Sequence, residues 1–245
     1  MSRVALIVSH GQPADPGPAE ADLAVLAAQV GQGLPGWEVR SATLAGPGAL
    51  EGALRAGGPG LVYPLFMAGG WFTRVHLPQR LAAAGGGGWR HLPPFGLDQA
   101  VQALGVAMAR EAAEGPGPAA MAVLLAAHGS FRSPAPAEVA RTVAERLRQE
   151  AGFARAEAFF IDQAPRIAEA RGFGPASLCL PFFAARGDHV TVDLPEALAA
   201  AGFAGRVLAP LGLDPRVPGL IAAAIARGAD TDRARGAFTG ASRVE

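Results

Sequence analysis

The chain repeats itself. VALIVSHGQ at 4–12 returns as AVLLAAHGS at 122–130, which sets His10 against His128. LVYPLFMAGGWFTRVHLP at 61–78 returns as LCLPFFAARGDHVTVDLP at 178–195, and PPFGLD at 93–98 returns as APLGLD at 209–214. Three blocks that keep their order and a displacement of 116–118 positions are the signature of a duplication. Whatever architecture the chain adopts must therefore be built twice within 245 residues, each copy the size of a small domain.

Within one copy, short apolar runs such as 4–8 and 122–126 alternate with longer stretches of helical period. Continuous apolar runs suit strands covered on both faces. In 136–150, Val139, Val143 and Leu147 recur every fourth place among Arg and Glu, as an amphipathic helix requires. The pattern predicts strands at 4–8, 37–43, 60–64 and 89–92, helices at 18–33, 48–56, 73–84 and 97–113, and the same order from 121 to about 228. Alternating strands and helices imply right-handed crossovers and parallel sheets. The expected fold is therefore α/β, with two tandem flavodoxin-like halves, each a four-stranded parallel sheet with helices on both faces. Domains are expected at 1–115 and 119–228, joined by the Gly- and Pro-rich EGPGPA at 114–119, with a flexible tail at 229–245 where the apolar period fades. GGGG at 85–88 precedes a strand rather than opening a helix, so it is read as a loop and not as a phosphate cradle.

Composition narrows the function. Cations and anions number 21 each, for zero formal charge, which argues against a nucleic acid or an anionic membrane as the main partner. Every one of those cations is Arg, which removes Schiff-base chemistry and the P-loop lysine. The one cysteine, Cys179, lies in an apolar run and reads as a buried structural thiol; it excludes disulfide scaffolds and thiolate zinc sites within one chain. The opening MSRVALIVSHG is too short an apolar run for a spanning helix and lacks a cleavage site, so a soluble cytoplasmic protein is expected.

Ligands of open parallel sheets bind beyond the carboxyl ends of the strands. His10 and His128 end the first strand of each half, Asp162 follows the second strand of half two, and His189 follows its third. Two imidazoles with open positions suit divalent cobalt, iron, nickel or zinc, held by few enough ligands to be released again. A carboxylate or a neutral imidazole nearby can serve as general base. Asp193, one turn beyond His189, is placed to occupy the second ring nitrogen. Each residue also has a plainer reading: a loop histidine bonding the backbone for His128, a helix cap near Pro165 for Asp162, a structural role for His91.

A strand ending in His-Gly, a second ending in a carboxylate before Pro, and a third running through Pro-x-Phe to Gly-x-His with a later Asp-Leu-Pro resemble the class II chelatases, the CbiX-type sirohydrochlorin cobalt- and iron-chelatases of cobalamin and siroheme biosynthesis. The resemblance spans residues 3–228 and includes the duplicated form. It implies a lyase that inserts a divalent metal, Co2+ or Fe2+ with Ni2+ or Zn2+ as variants, into sirohydrochlorin or a related tetrapyrrole, without ATP or an organic cofactor. It further implies His128, His189, Asp162 and His10 as catalytic residues, and His128, His189, His10 and His76 as metal ligands. Arg132, Arg186 and Arg74 (with Arg166) would grip carboxylates of the substrate, while Trp71 and Phe72 offer flat faces to the macrocycle. The expected partner is that small molecule alone, with no nucleic acid and no membrane, in a monomer or weak homo-oligomer. Half one departs from the pattern, with Phe72 at the second histidine position, Leu44 at the carboxylate position, and His76 where half two has Asp193. That departure motivates a rival reading, a non-catalytic tetrapyrrole- or metal-binding protein. A histidine phosphatase is disfavoured, because Ser9 and Ala127 stand where such an enzyme places an arginine.

Overall fold

The computed structural model describes residues 3–55 and 58–240, with side chains as far as Thr231. The first half runs β1 (Arg3–Ser9), α1 (Pro16–Gln32), β2 (Trp37–Thr43), α2 (Ala49–Leu54), β3 (Leu61–Pro64), α3 (Leu77–Ala83), β4 (Arg90–His91) and α4 (Gln99–Ala112). The second runs β5 (Ala122–Ala127), α5 (Ala135–Gln149), β6 (Arg155–Phe160), β7 (Ser177–Pro181), α6 (Leu194–Ala201), β8 (Arg206–Val207) and α7 (Val217–Gly240). One turn of π-helix leads into α3 (Phe72–His76) and another into α6 (His189–Asp193).

The two sheets have orders β2-β1-β3-β4 and β6-β5-β7-β8, all parallel. This is the expected doubly wound architecture. The central strands β1, β3, β5 and β7 are the apolar runs: Leu6, Ile7, Val123, Leu124 and Leu180 are fully buried, because helices cover both faces of each sheet. On α5 the predicted stripe faces inward, with Val143 and Leu147 fully buried. Cys179 on β7 packs with Leu124, Phe159, Ile167, Phe183 and Leu194, and burial pushes its thiol up to about 12, as a structural thiol requires. Among the described residues no helix is long and apolar enough to cross a membrane.

Three features differ from expectation. First, the compact units are not 1–115 and 119–228. One unit is Met1–Leu65, Thr73–Pro93 and Arg216–Glu245; the other is Phe66–Phe72 and Pro94–Pro215. The last helix of each half has been exchanged: α4 packs on α5 and β7, and α7 on α1 and β3. The exchange is reciprocal in detail, since Arg206 Nη2 donates to Ala112 O (2.8 Å) and its repeat counterpart Arg90 Nη2 donates to Gly228 O (2.5 Å). An amphipathic stripe such as Val101, Leu104 and Met108 dictates that α4 must bury one face; it does not say against which sheet. Second, the chain expected to become a tail at 229 continues as helix to Gly240, an extension of the turns anchored by the buried Val217, Ile221 and Ile225, while 241–245 lie outside the described residues. Third, the second helix of half one has only a single 3-10 turn, Ile167–Glu169, as its counterpart.

Candidate metal centre

In each sheet the chain leaves β1 or β5 toward one edge and β3 or β7 toward the other. Neighbouring strands whose connections diverge leave a crevice at their carboxyl ends, where doubly wound proteins bind ligands. In the second sheet β5 and β7 are those neighbours, and His128 and His189 come from the two loops that diverge there.

His128 follows the last residue of β5. Gly129, at φ +76°, turns the chain away in the left-handed region; a Cβ there would meet Gln163 Cγ at 2.7 Å and Phe160 Cβ at 2.9 Å, so only glycine lets the β5 and β6 loops approach this closely. Gln163 Oε1 accepts from Ser130 N at 2.7 Å and ties the loops together. His189 opens the π turn, whose first turn is anchored by Thr191 N donating to Gly187 O at 3.0 Å. Turns of this type are rare and recur at functional sites.

The two imidazoles meet. Their Nε2 atoms lie 2.8 Å apart, with ring centroids at 4.2 Å and planes at 85°. Behind them each Nδ1 faces oxygen. His189 Nδ1 donates to Asp193 Oδ2 at 2.6 Å, and His128 Nδ1 donates to Gly129 O at 3.1 Å with Asp162 Oδ2 at 3.3 Å. Acceptors at Nδ1 place the ring protons there, so both Nε2 lone pairs point into the same gap. Two lone pairs 2.8 Å apart repel unless something positive sits between them, either one shared proton or a metal ion. Metal–imidazole bonds of about 2.0–2.1 Å would set two nitrogens of a tetrahedral ion about 3.4 Å apart, so the rings need open by only about half an ångström.

The four side chains are 36–45% exposed, so the gap is open to solvent and to a ligand. Among the described residues, no three or more His, Cys, Asp and Glu side chains are grouped to hold a metal ion together. The geometry explains this: both carboxylates engage the Nδ1 side and leave two ligands facing the gap. Such a site can hold an ion and surrender it.

The structure thus brings His128, His189 and Asp162 together with Asp193. Arg132 and Arg186 are exposed on the loops that carry the histidines. In half one, His10 is exposed at the end of β1, His76 is half-buried at the end of the π turn, and Arg74 is exposed within it. Trp71 and Phe72 are both exposed and meet edge to face at 5.2 Å, and Phe72 stacks on Phe66 at 6.4 Å. One sequence alignment is corrected. Asp162 N donates to His128 O, and the equivalent bond in half one runs from Ala45 N to His10 O. The counterpart of Asp162 is therefore Ala45; Leu44 is one place earlier and buried at 6% exposure. Sequence reading passed over Gln163 and Phe131. The signal for Phe131 was its place three residues past His128, where the first repeat has Pro13.

A family model described as CbiX matches residues 122–228, the half that carries both histidines. A solved structure of CbiX, described as the terminal enzyme of siroheme biosynthesis in denitrifying bacteria, shares 50% identity over 92% of this chain and 99% of its own, with a TM-score of 0.86. A multi-domain protein of Deinococcus radiodurans, described as structurally similar to chelatases, is 25% identical over 92% of this chain and 55% of its own, with a TM-score of 0.69. The sirohydrochlorin chelatase SirB of Bacillus subtilis subspecies spizizenii, solved with cobalt, shares the fold at 16% identity, with a TM-score of 0.62 over 89% of this chain and 92% of its own. No curated protein sequence matches the chain.

Proposed function

The chain belongs to the CbiX family, and from that premise we propose that it inserts a divalent metal ion into sirohydrochlorin, with the ion first held between His128 and His189. The observation that carries this reading is the pair of Nε2 atoms facing one another across 2.8 Å with both Nδ1 atoms engaged elsewhere. Two protein ligands leave the remaining positions of the ion to water and then to the pyrrole nitrogens, so transfer exchanges ligands stepwise without breaking a closed cage. Insertion releases two pyrrole protons. The imidazoles freed by the departing metal and the carboxylates of Asp162 and Asp193 are the acceptors within reach. Ferrous iron is the favoured metal, because the 50%-identical relative is described as ending siroheme biosynthesis and siroheme is the iron form of this macrocycle. Arg132, Arg186, Arg74, Trp71 and Phe72 are candidate contacts for the substrate. A metal role for His10 and His76 rests on position alone. In this reading the protein works in the cytoplasm, as a monomer or weak homo-oligomer.

Anaerobic mixing of the purified protein with sirohydrochlorin and Fe2+ or Co2+, followed by absorption, tests the reading. Acceleration over the spontaneous reaction that disappears in His189→Ala supports it. Tight pigment binding with no acceleration favours the rival, a binding protein derived from a chelatase, which the loss of the His–Asp set from half one motivates.

A further inference from the structure

Phe131 is 74% exposed, the most exposed of the large hydrophobic side chains described. An isolated exposed apolar side chain is ordinary on a folded protein, so it is the place and the partner of this ring that point to a ligand. Phe131 stands three residues beyond His128 on the loop after β5. Arg166, on the loop after β6, places its guanidinium over the ring, 5.9 Å from the centroid, and Nη1 is anchored by donating to Ile161 O at 3.2 Å. Gln163 joins the same two loops through Ser130 N, so ring and cation are mounted on a single braced rim. Half one lacks both parts: Pro13 stands at the position of Phe131, and the loop Leu44–Gly48 after β2 carries no cation. The scaffold is common to both halves, so a feature present only beside the facing histidines answers to the site and not to the fold.

We propose that Phe131 and Arg166 form a docking lip for the carboxylate-bearing edge of a flat polyanionic macrocycle. The open face of the ring stacks on the pigment, and the anchored guanidinium takes a peripheral carboxylate through paired N–H donors. The lip selects macrocycles rich in carboxylates and fixes the edge that approaches the histidines. This inference rests on the reading of the site as a chelatase, and its test separates the two.

The full-length protein is titrated by fluorescence with uroporphyrin, which bears eight carboxylates, and with deuteroporphyrin, which bears two. Arg166→Gln is expected to weaken uroporphyrin binding about tenfold and deuteroporphyrin binding much less, as loss of one charge-assisted pair implies. Arg166→Lys restores part of the loss, and Phe131→Ala weakens both pigments about equally. In sirohydrochlorin insertion the same variants raise KM and leave kcat within about twofold, the mark of lost uniform binding. Equilibrium dialysis with Co2+ alone is expected to be unchanged, since neither residue touches the imidazole pair. The lip is overturned if the variants bind both porphyrins as the parent does, if the parent binds neither, or if pigment and Co2+ binding fall together. A parent that catalyses no insertion but binds uroporphyrin through Arg166 sinks the chelatase reading and leaves the lip standing.

Discussion

The two halves share an architecture down to single bonds and share almost none of the site. Each has a four-stranded sheet of the same order, a glycine in the left-handed region after its first strand, a π turn after its third, and an arginine on its fourth that reaches the exchanged helix. At the sheet edge, His128, Asp162, His189 and Asp193 are matched in half one by His10, Ala45, Phe72 and His76. The π turn persists at Phe72–His76 although its first and last residues no longer form a His–Asp pair. The turn therefore belongs to the scaffold and the chemistry to its side chains. Duplication preserved what packing and backbone hydrogen bonding demand and released what only a ligand demands.

The comparison breaks first at the histidines. His189→Ala should lower insertion by about 100-fold or more, because it removes one of two ion-facing ligands, while the melting temperature moves by less than about 2 °C for a half-exposed side chain. His10→Ala should lower insertion by less than about threefold on the same assay. Activity that survives the first substitution and vanishes with the second would move the site to half one. Next comes the partner behind the ligand: Asp193→Asn should lower metal affinity or turnover about 10–100-fold, as loss of an oxygen that orients a metal-binding imidazole does, and His76→Ala at the matching place should change either by less than about twofold. Comparable losses from both would mean that half one contributes to the reaction.

A gain of function sharpens the contrast. The double variant Ala45→Asp with Phe72→His restores in half one the residue types that half two carries at the matching places, and Co2+ bound at equilibrium should rise from about one to about two per chain. No added equivalent would show that the backbone ends differ more than their shared bonds suggest.

The smallest effect concerns stability. His91 on β4 is half-buried with no hydrogen-bond partner at Nδ1, and burial holds its imidazole below the usual range; its repeat counterpart is the exposed Val207. The unfolded chain takes up this proton first as pH falls through about 6.5, so the stabilising neutral state is complete above that value and its contribution is lost on acidification toward the lower folded value. Urea unfolding of parent and His91→Val between pH 7.5 and 5 should show a shallower acid slope in the variant. Equal slopes would assign the acid response to other groups.

Much of this was legible in one dimension. The repeat alone placed both copies of every central strand, since the apolar runs 4–8 and 122–126 read the same wherever they stand. The stripe on α5 was legible because Val139, Val143 and Leu147 carry their period in their own spacing. The counterpart of Asp162 was not: the loops after β2 and β6 differ in length, and only the bonds Ala45 N to His10 O and Asp162 N to His128 O show which residues correspond. Nor was the lip, because an exposed Phe131 and an anchored Arg166 look like ordinary loop residues until they are seen together.

By itself the sequence determined the duplication, the parallel α/β class and the placing of His128 directly after the first strand of half two and His189 on the connection after its third, because these follow from patterns between near neighbours and from one copy compared with the other. Only the tertiary structure decided that two rings 61 positions apart turn Nε2 to Nε2, that α4 and α7 change places, and that Phe131 and Arg166 share a rim. Each of those facts is a meeting of segments far apart in the chain, set by packing and hydrogen bonds that no segment encodes alone.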